Sequence, residues 1–392
     1  MNSTETSKVY FGSARQGRLT SKETLPCKLD LILEKLRIRE RVKGESVAIK
    51  MHVGGHVGYS TVHPVFVRRV VDAVREGGGK PFVCDIIGNC HTAAQRGYTA
   101  ETLGCPIYPT GGPDEKHFYI HKRAYKNISE WRVGGLLQDA SFLIDLAHIK
   151  GHPSCGFGGA FKNLSLGGMM GPTRGAIHDT NHFEPYWFPE KCPDDKIIGK
   201  IIESCPFNAL VRDKNNPREI HLHYEPCNQC GRCLKTAPEG SLFIRRENFW
   251  AFQEACAISA QIVLSTFEQD KAIFLNIANN ITPVCDCFGF TSMFVLPEIG
   301  VFGSDDIVAV DAAALDMIAP CKVFEEALPL EMELQPNAGH PFQMMHGPYK
   351  DPYKVAEYGE TLGLGSRQYE LVDVLPLEKP RHAEAAYIPA SL

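Results

Sequence analysis

The chain has 392 residues, 44% of them hydrophobic and 22% charged, with a formal net charge of −5. That length suffices for two or three domains with a sizeable core, and the mild acidity gives no pointer to a nucleic-acid partner. The first residues, MNSTETSKVYFGSARQGR, lack the apolar centre of a secretory signal, and no apolar run approaches the roughly 20 residues of a membrane helix, so a cytoplasmic location without membrane contact is expected.

In chain order, residues 1–43 read as an N-terminal extension. SVAIKMHV (46–53) predicts a buried strand, and the helical spacing of apolar residues in 63–79 a helix stopped by glycines. PFVCDII (81–87) reads as a second strand, about 91–103 as a helix, and ASFLIDLAHIK (140–150) as a third strand. Alternating strands and helices predict an α/β fold, a mainly parallel sheet with flanking helices. In such sheets ligands gather at the carboxyl ends of strands, which draws notice to Asp85, His148, Lys150 and His152. A glycine-rich stretch (156–171) follows. Residues 186–246, rich in Pro, Cys and short turns, read as a small insert between two parts of the α/β domain, 44–185 and 247–322. The second part predicts a helix over 247–267, strands over 271–278 and 294–303, and a helix over 305–318. Residues 323–392, with many prolines, read as a C-terminal extension that wraps the surface or meets a partner.

Fourteen cysteines in a long chain without a signal point to metal binding rather than disulfides. Cys84 and Cys256 sit in apolar patterns and read as core residues. CNQCGRCLKTAPEG (227–240) spaces Cys227, Cys230 and Cys233 as a ferredoxin cluster loop, but Ala237 stands where a fourth cysteine precedes proline. Two-cluster ferredoxins exchange that fourth ligand between loops, and upstream Cys205 precedes Pro206. Counting back from Cys205, the other three positions of that loop hold Asp195, Ile198 and Ile201. One ligand set is therefore absent as a whole, and the other is intact: Cys205, Cys227, Cys230 and Cys233. The pattern predicts one 4Fe–4S cluster, with isoleucines filling the space of a lost one. A four-cysteine zinc site and core thiols are the alternatives.

The stretches STVHPVFVRRVVDAVREGGGKPFVCDIIG, KGHPSCGFGGAFKNLSLGG, the cysteine-rich insert, and NITPVCDCFGF followed by PEIGVFGSDDIVAVDAAALDMI occur in an order that resembles domain of unknown function 362. The resemblance covers about residues 44–320. It implies an α/β domain with a ferredoxin-like iron–sulfur insert, distantly similar to the N-terminal domain of the lactate racemase family. Members of that family usually carry both ferredoxin loops, so this chain departs from the pattern. The resemblance implies little about the reaction.

Several further residues carry candidate chemistry. Alternation along an extended CDC segment would set Cys285 and Cys287 on one side, as soft ligands for a second metal or cluster or as a redox pair, with help from His56, His152 or Cys155. GGAFKNL places Lys162 and Asn163 at a glycine-led helix start, where free N–H groups and the ammonium suit an anion. Lys150 and His152 are candidate proton donors. The loop GGHVGYSTVHP could bind an anion through its backbone but matches neither the P-loop nor the dinucleotide fingerprint, and His63 reads as a cap for the next helix. The preferred reading is an iron–sulfur redox enzyme acting on a small anionic substrate, by reduction of a double bond or reductive cleavage. Lys162, Asn163, His152 and Lys150 are its catalytic candidates, a ferredoxin or flavodoxin its donor, and a homodimer its default assembly. The alternatives are a non-redox isomerase or lyase with a structural or Lewis-acid cluster, and a ferredoxin-type electron carrier.

Overall fold

A computed structural model describes residues 6–378. Eight strands form one sheet: β1 (Ser7–Ser13), β2 (Ser46–Met51), β3 (Lys80–Asp85), β4 (Ile107–Pro109), β5 (Phe142–His148), β6 (Ala272–Ala278), β7 (Gly300–Ser304) and β8 (Tyr369–Asp373). Their order is β8-β1-β7-β6-β5-β2-β3-β4. Only β7 runs against the rest, pairing antiparallel with β1 and β6, so the sheet is mainly parallel.

Strand periodicity divides the core into two. Val47, Ile49 and Met51 of β2 and Phe142, Ile144 and Leu146 of β5 point to one face. There they pack on α1 (Leu25–Lys35) and α2 (Pro64–Glu76). Ala48, Leu143 and Ala147 point to the other face. That face carries α3 (Ala160–Gly167), α5 (Arg246–Leu264) and α6 (Ile307–Ile318), while α4 (Gly171–Asp179) follows α3 directly. Each fully buried aliphatic side chain contributes about 1.5–3 kcal/mol, and with both faces covered the central strands read as near-continuous apolar runs.

The sequence expectations need four corrections. The segment at 91–103 is not one helix. It breaks into Ile87–His91, Ala93–Arg96 and Ala100–Leu103, because Gly97 turns left-handed at φ 84° and Thr99 starts a new capping box. The strand expected over 294–303 spans only Gly300–Ser304, the preceding stretch containing Pro297, which has no N–H to give a ladder. The two supposed extensions are not appendages. Residues 7–13 lie inside the sheet between β7 and β8, and β8 comes from the C-terminal segment. The remainder of that segment, residues 379–392, lies outside the described residues.

Residues 186–246 pack around a small core of their own that includes Trp187, Leu210, Ile220 and Leu222. They contain one two-stranded ribbon, Leu210–Arg212 with Ile220–Leu222, and helices Asp195–Glu203 and Arg232–Thr236. Ile198 and Ile201, which stand where a second cysteine set would have stood, are fully buried in that core.

Candidate active site

A cavity of about 470 Å³ opens beyond the carboxyl ends of β2 and β3, the usual ligand position in such sheets. Lys150, His152, Lys162 and Asn163 all line it. So do Lys50, His52, Asp85, Asn89, Arg174 and His178. Four lysine and arginine side chains thus face one carboxylate, Asp85, which suits an anionic ligand.

Beneath the cavity lies a buried polar network. Lys50 projects from β2 towards α3, into space left by Gly167, where an added Cβ would lie 2.0 Å from the lysine Cε. Its ammonium donates to Asp85 Oδ1 at 3.1 Å, Asn163 Oδ1 at 3.0 Å and the Met51 carbonyl at 3.0 Å. Asp85 also accepts from the Val53 N–H at 3.1 Å and Asn89 Nδ2 at 2.8 Å, and contacts His52 Nδ1 at 3.2 Å. Burial alone would raise the Asp85 carboxyl, but the Lys50 ammonium and these hydrogen bonds hold it far below the carboxylate range. Asn163 donates to Asp145, the register partner of Lys50 on β5, and to the Lys50 carbonyl at 2.9 Å. Burial dominates at Asp145 and pushes its pKa well up, against the opposing Lys50 ammonium. Asn163 is therefore a positioning residue that ties α3 to two strands.

The sulfur pair sits on the wall of the cavity. Cys285 begins the short 3-10 turn Asp286–Phe288, and it is this turn, rather than extended alternation, that sets Cys285 and Cys287 on one side. Asp286 points the other way, accepting from the Ser60 N–H at 2.6 Å and the Thr61 N–H at 3.1 Å. The anion held by the glycine-rich loop is thus the protein's own carboxylate. Lys162 Nζ lies 3.7 Å from Cys285 Sγ and 3.9 Å from Cys287 Sγ, and His152 Nε2 lies 3.5 Å from Cys287 Sγ. Burial raises the Cys285 thiol, but the hydrogen bond from Cys287 and the ammonium groups of Lys162 and Lys150 outweigh it and hold it well below the usual thiol value. Cys287 is held well above that value by its hydrogen bond to Cys285 and by burial, so the first proton of the pair leaves from Cys285. Burial and Lys162 push His152 well down, leaving it neutral. Burial also lowers Lys150, the sulfurs only partly opposing it.

Ligand atoms of His152, Cys285 and Cys287 lie within 4.8 Å of one another, the one such group among the described residues compact enough for a single ion. Cys155 does not join them: its thiol donates to the Phe157 carbonyl at 3.0 Å. His148 is turned to the Asn279 carbonyl at 2.8 Å and does not line the cavity. His63 accepts from the Val65 N–H at 3.2 Å and caps α2. The start of α3 is not free to hold an external anion, because Asp311 accepts from the Ala160 and Phe161 N–H groups at 2.8 and 3.1 Å. Lys162 alone supplies the charge expected of that motif.

Cys205, Cys227, Cys230 and Cys233 together line a separate small cavity in the 186–246 region. A cleft of about 320 Å³ runs between the two sulfur sites. It is walled by Pro206 and Pro226, the chain neighbours of Cys205 and Cys227, and by Pro153 and Val284, the neighbours of His152 and Cys285. The C-terminal segment spans the same junction. Gln335 donates to the Asn228 carbonyl, Gln229 Oε1 accepts from the Tyr349 N–H at 3.0 Å, and Lys350 donates to the Glu225 carbonyl at 2.8 Å. On the other side, His346 meets the Pro283 carbonyl at 2.8 Å.

Lys50, His52, Asp145, Arg174 and His178 escaped the sequence reading as site residues. Lys50 and Asp145 carried a signal: each is a charged residue inside an apolar strand buried on both faces. His52, Arg174 and His178 carried none. No curated protein matches the chain. Residues 47–316, more than half of the chain, match the family model described as Domain of unknown function (DUF362). With six of the eight sheet strands, the cysteine-rich region and the CDC turn within or at the edge of that span, the chain belongs to the DUF362 family.

Proposed function

We propose that the protein is an iron–sulfur oxidoreductase that reduces a small anionic substrate in the cationic cavity. One 4Fe–4S cluster would be held by Cys205, Cys227, Cys230 and Cys233, and when bound it supplies single electrons. The residues fit such a group. Four thiols share one cavity, yet they are not drawn together as one ion would require; thiolates on tetrahedral zinc lie only about 3.8 Å apart. The observation that carries the reading is the common cleft: residues adjoining each sulfur site line it together, with residues from 329–346 completing it.

In this reading Lys162 and Arg174 hold the anionic group of the substrate. Lys150 is a proton donor to the reduced substrate, being a buried ammonium whose pKa is lowered chiefly by burial. Asn163 and Lys50 fix α3 so that Lys162 meets the cavity. Reduction of a polarised double bond and reductive cleavage both need these parts, with a ferredoxin or flavodoxin as external donor. Iron and acid-labile sulfide are measured on anaerobically purified protein, with EPR after dithionite. About four of each per chain, lost in Cys205→Ser, supports the reading; zinc without iron refutes it.

A non-redox isomerase or lyase is the second reading, favoured by the convergence of Lys150, His152 and His52 on one cavity. A cluster whose oxidation state never changes during turnover would select it. A simple electron carrier would keep full activity in Lys162→Ala.

A further inference from the structure

Cys285 and Cys287 remain without a task in that scheme. Their contact with His152 has the dimensions of an ion site: a thiolate sulfur and an imidazole nitrogen on tetrahedral zinc lie about 3.6 Å apart, and Cys287 Sγ to His152 Nε2 is 3.5 Å. Two features oppose an ion. The Ser154 N–H donates to His152 Nδ1 at 3.1 Å. The neutral ring therefore carries its proton on Nε2, the atom facing Cys287. A metal-ligating histidine has the reverse arrangement, with its outer N–H given to an acceptor. The second feature is charge. The Lys162 ammonium already bridges both sulfurs, and the adjacent acid, Asp286, is committed to Ser60 and Thr61. A divalent ion would enter a place where a buried ammonium already offsets the thiolate.

We propose that Cys285 and Cys287 form a dithiol–disulfide couple, a two-electron relay between a one-electron donor and an acceptor in the cavity. The proposal rests on the preceding reading only for the source of its electrons. In the reducing direction the S–S bond breaks on taking two electrons, delivered singly, and one proton. Cys285 becomes the thiolate and Cys287 the thiol. Lys162 balances the thiolate, and the His152 Nε2–H faces Cys287. In the opposite direction the S–S bond re-forms, and both electrons pass to a polarised double bond or a disulfide together with two protons, one from the Cys287 thiol and one from Lys150. Cys287 is the sulfur that the cavity reaches, while Cys285 is fully buried behind it. The couple also explains the spacing: one intervening residue in a tight turn holds the sulfurs together, and that residue's carboxylate anchors the turn to the glycine-rich loop.

The test uses the full chain under anaerobic conditions, equilibrated in buffers of reduced and oxidised dithiothreitol. Thiols are trapped with a mass tag and located by peptide mass. The expected result is one transition in which Cys285 and Cys287 lose their tags together, with the two-electron dependence of about 30 mV per decade. Lys162→Met removes the counter-charge of the thiolate and shifts the equilibrium roughly tenfold or more towards disulfide, about 30 mV. Independent tagging of the two cysteines at every potential overturns the proposal. So does zinc or iron in the wild type that Cys287→Ser alone abolishes; Cys287 is exposed, so its replacement does not threaten folding. Cys205→Ser separates the two hypotheses. In that variant iron is lost and the thiol transition persists; a wild type that never holds iron but keeps the transition refutes only the electron source, and a missing transition in an iron-loaded wild type refutes only the couple.

Discussion

Replacing Lys50 with Met keeps the side chain's bulk and removes its charge from the floor of the cavity. The Lys50–Asp85 pair has an N···O distance of 3.1 Å, with side chains only 1% and 2% exposed. At an effective dielectric constant of about 20, two unit charges at that distance attract by about 5 kcal/mol. Desolvation of both ions cancels much of this in the intact pair. It does not do so once Lys50 is gone, because Asp85 then stays buried as an uncompensated charge, a loss of about 3–5 kcal/mol. The Val53 N–H and Asn89 still donate to Asp85, which places the expectation at the lower end, about 3 kcal/mol. The Asp85 pKa is depressed, so the pair's contribution is present above the unfolded carboxylate value near 4 and is lost only as pH falls towards the folded value. Lys50→Met should cost less at pH 6 than at pH 8, because His52, whose pKa burial opposes but Asp85 raises, partly offsets the stranded carboxylate when protonated. Urea unfolding followed by circular dichroism measures it, with Lys50→Met/Asp85→Asn as the control. The double variant should be more stable than Lys50→Met, since the stranded charge has gone. A single-variant loss under about 1 kcal/mol, or a double loss equal to the sum of the singles, would refute the reasoning.

Burial raises the Asp311 carboxyl to about 6 although Asn276 and two N–H groups of α3 bond to it. Its raised pKa gives stability that is present below about pH 4 and fades as pH rises through about 6, some 3 kcal/mol in all; Asp311→Asn should remove that slope from denaturation curves taken across pH 4–7. Gly156 has φ 79°, and an added Cβ would lie 2.2 Å from the Lys350 carbonyl oxygen. Gly156→Ala should lose about 2–5 kcal/mol and open residues 335–351, which clamp the junction between the insert and the α/β domain, to limited proteolysis; a wild-type cleavage pattern would count against that role. Asp286→Ala strands the Ser60 and Thr61 N–H groups and frees the Thr291 hydroxyl. Hydrogen exchange should quicken at 57–62 and 289–292, with a stability loss of about 2–4 kcal/mol.

The parallel sheet was legible because its strands carry the near-continuous apolar runs of a sheet covered on both faces. β1 and β8 were not: SKVYFGS and YELVD are short, mixed in polarity and distant from the rest, and only tertiary pairing makes them strands. Lys162, Asn163, Lys150 and His152 were found because glycine-rich strand ends are where α/β sheets bind ligands. The partners that give them their properties were harder. Lys50 and Asp145 become neighbours through β2–β5 register, and no local pattern encodes that pairing. Occupation of the α3 start by Asp311 is likewise a contact across about 150 residues. Local spacing thus located candidate groups, whereas long-range pairing decides which of them stay available.

The clamp made by residues 335–351 sets an order of events in biogenesis. Those residues follow the last insert cysteine by about a hundred positions and leave the ribosome well after it. Until they are made, residues 225–229 lack the bonds that Gln335, Tyr349 and Lys350 provide. The nascent chain therefore passes through an interval in which this stretch is held by fewer bonds than in the finished fold. Closure of the C-terminal segment, completed when β8 docks beside β1, ends that interval and fixes the stretch against the α/β domain.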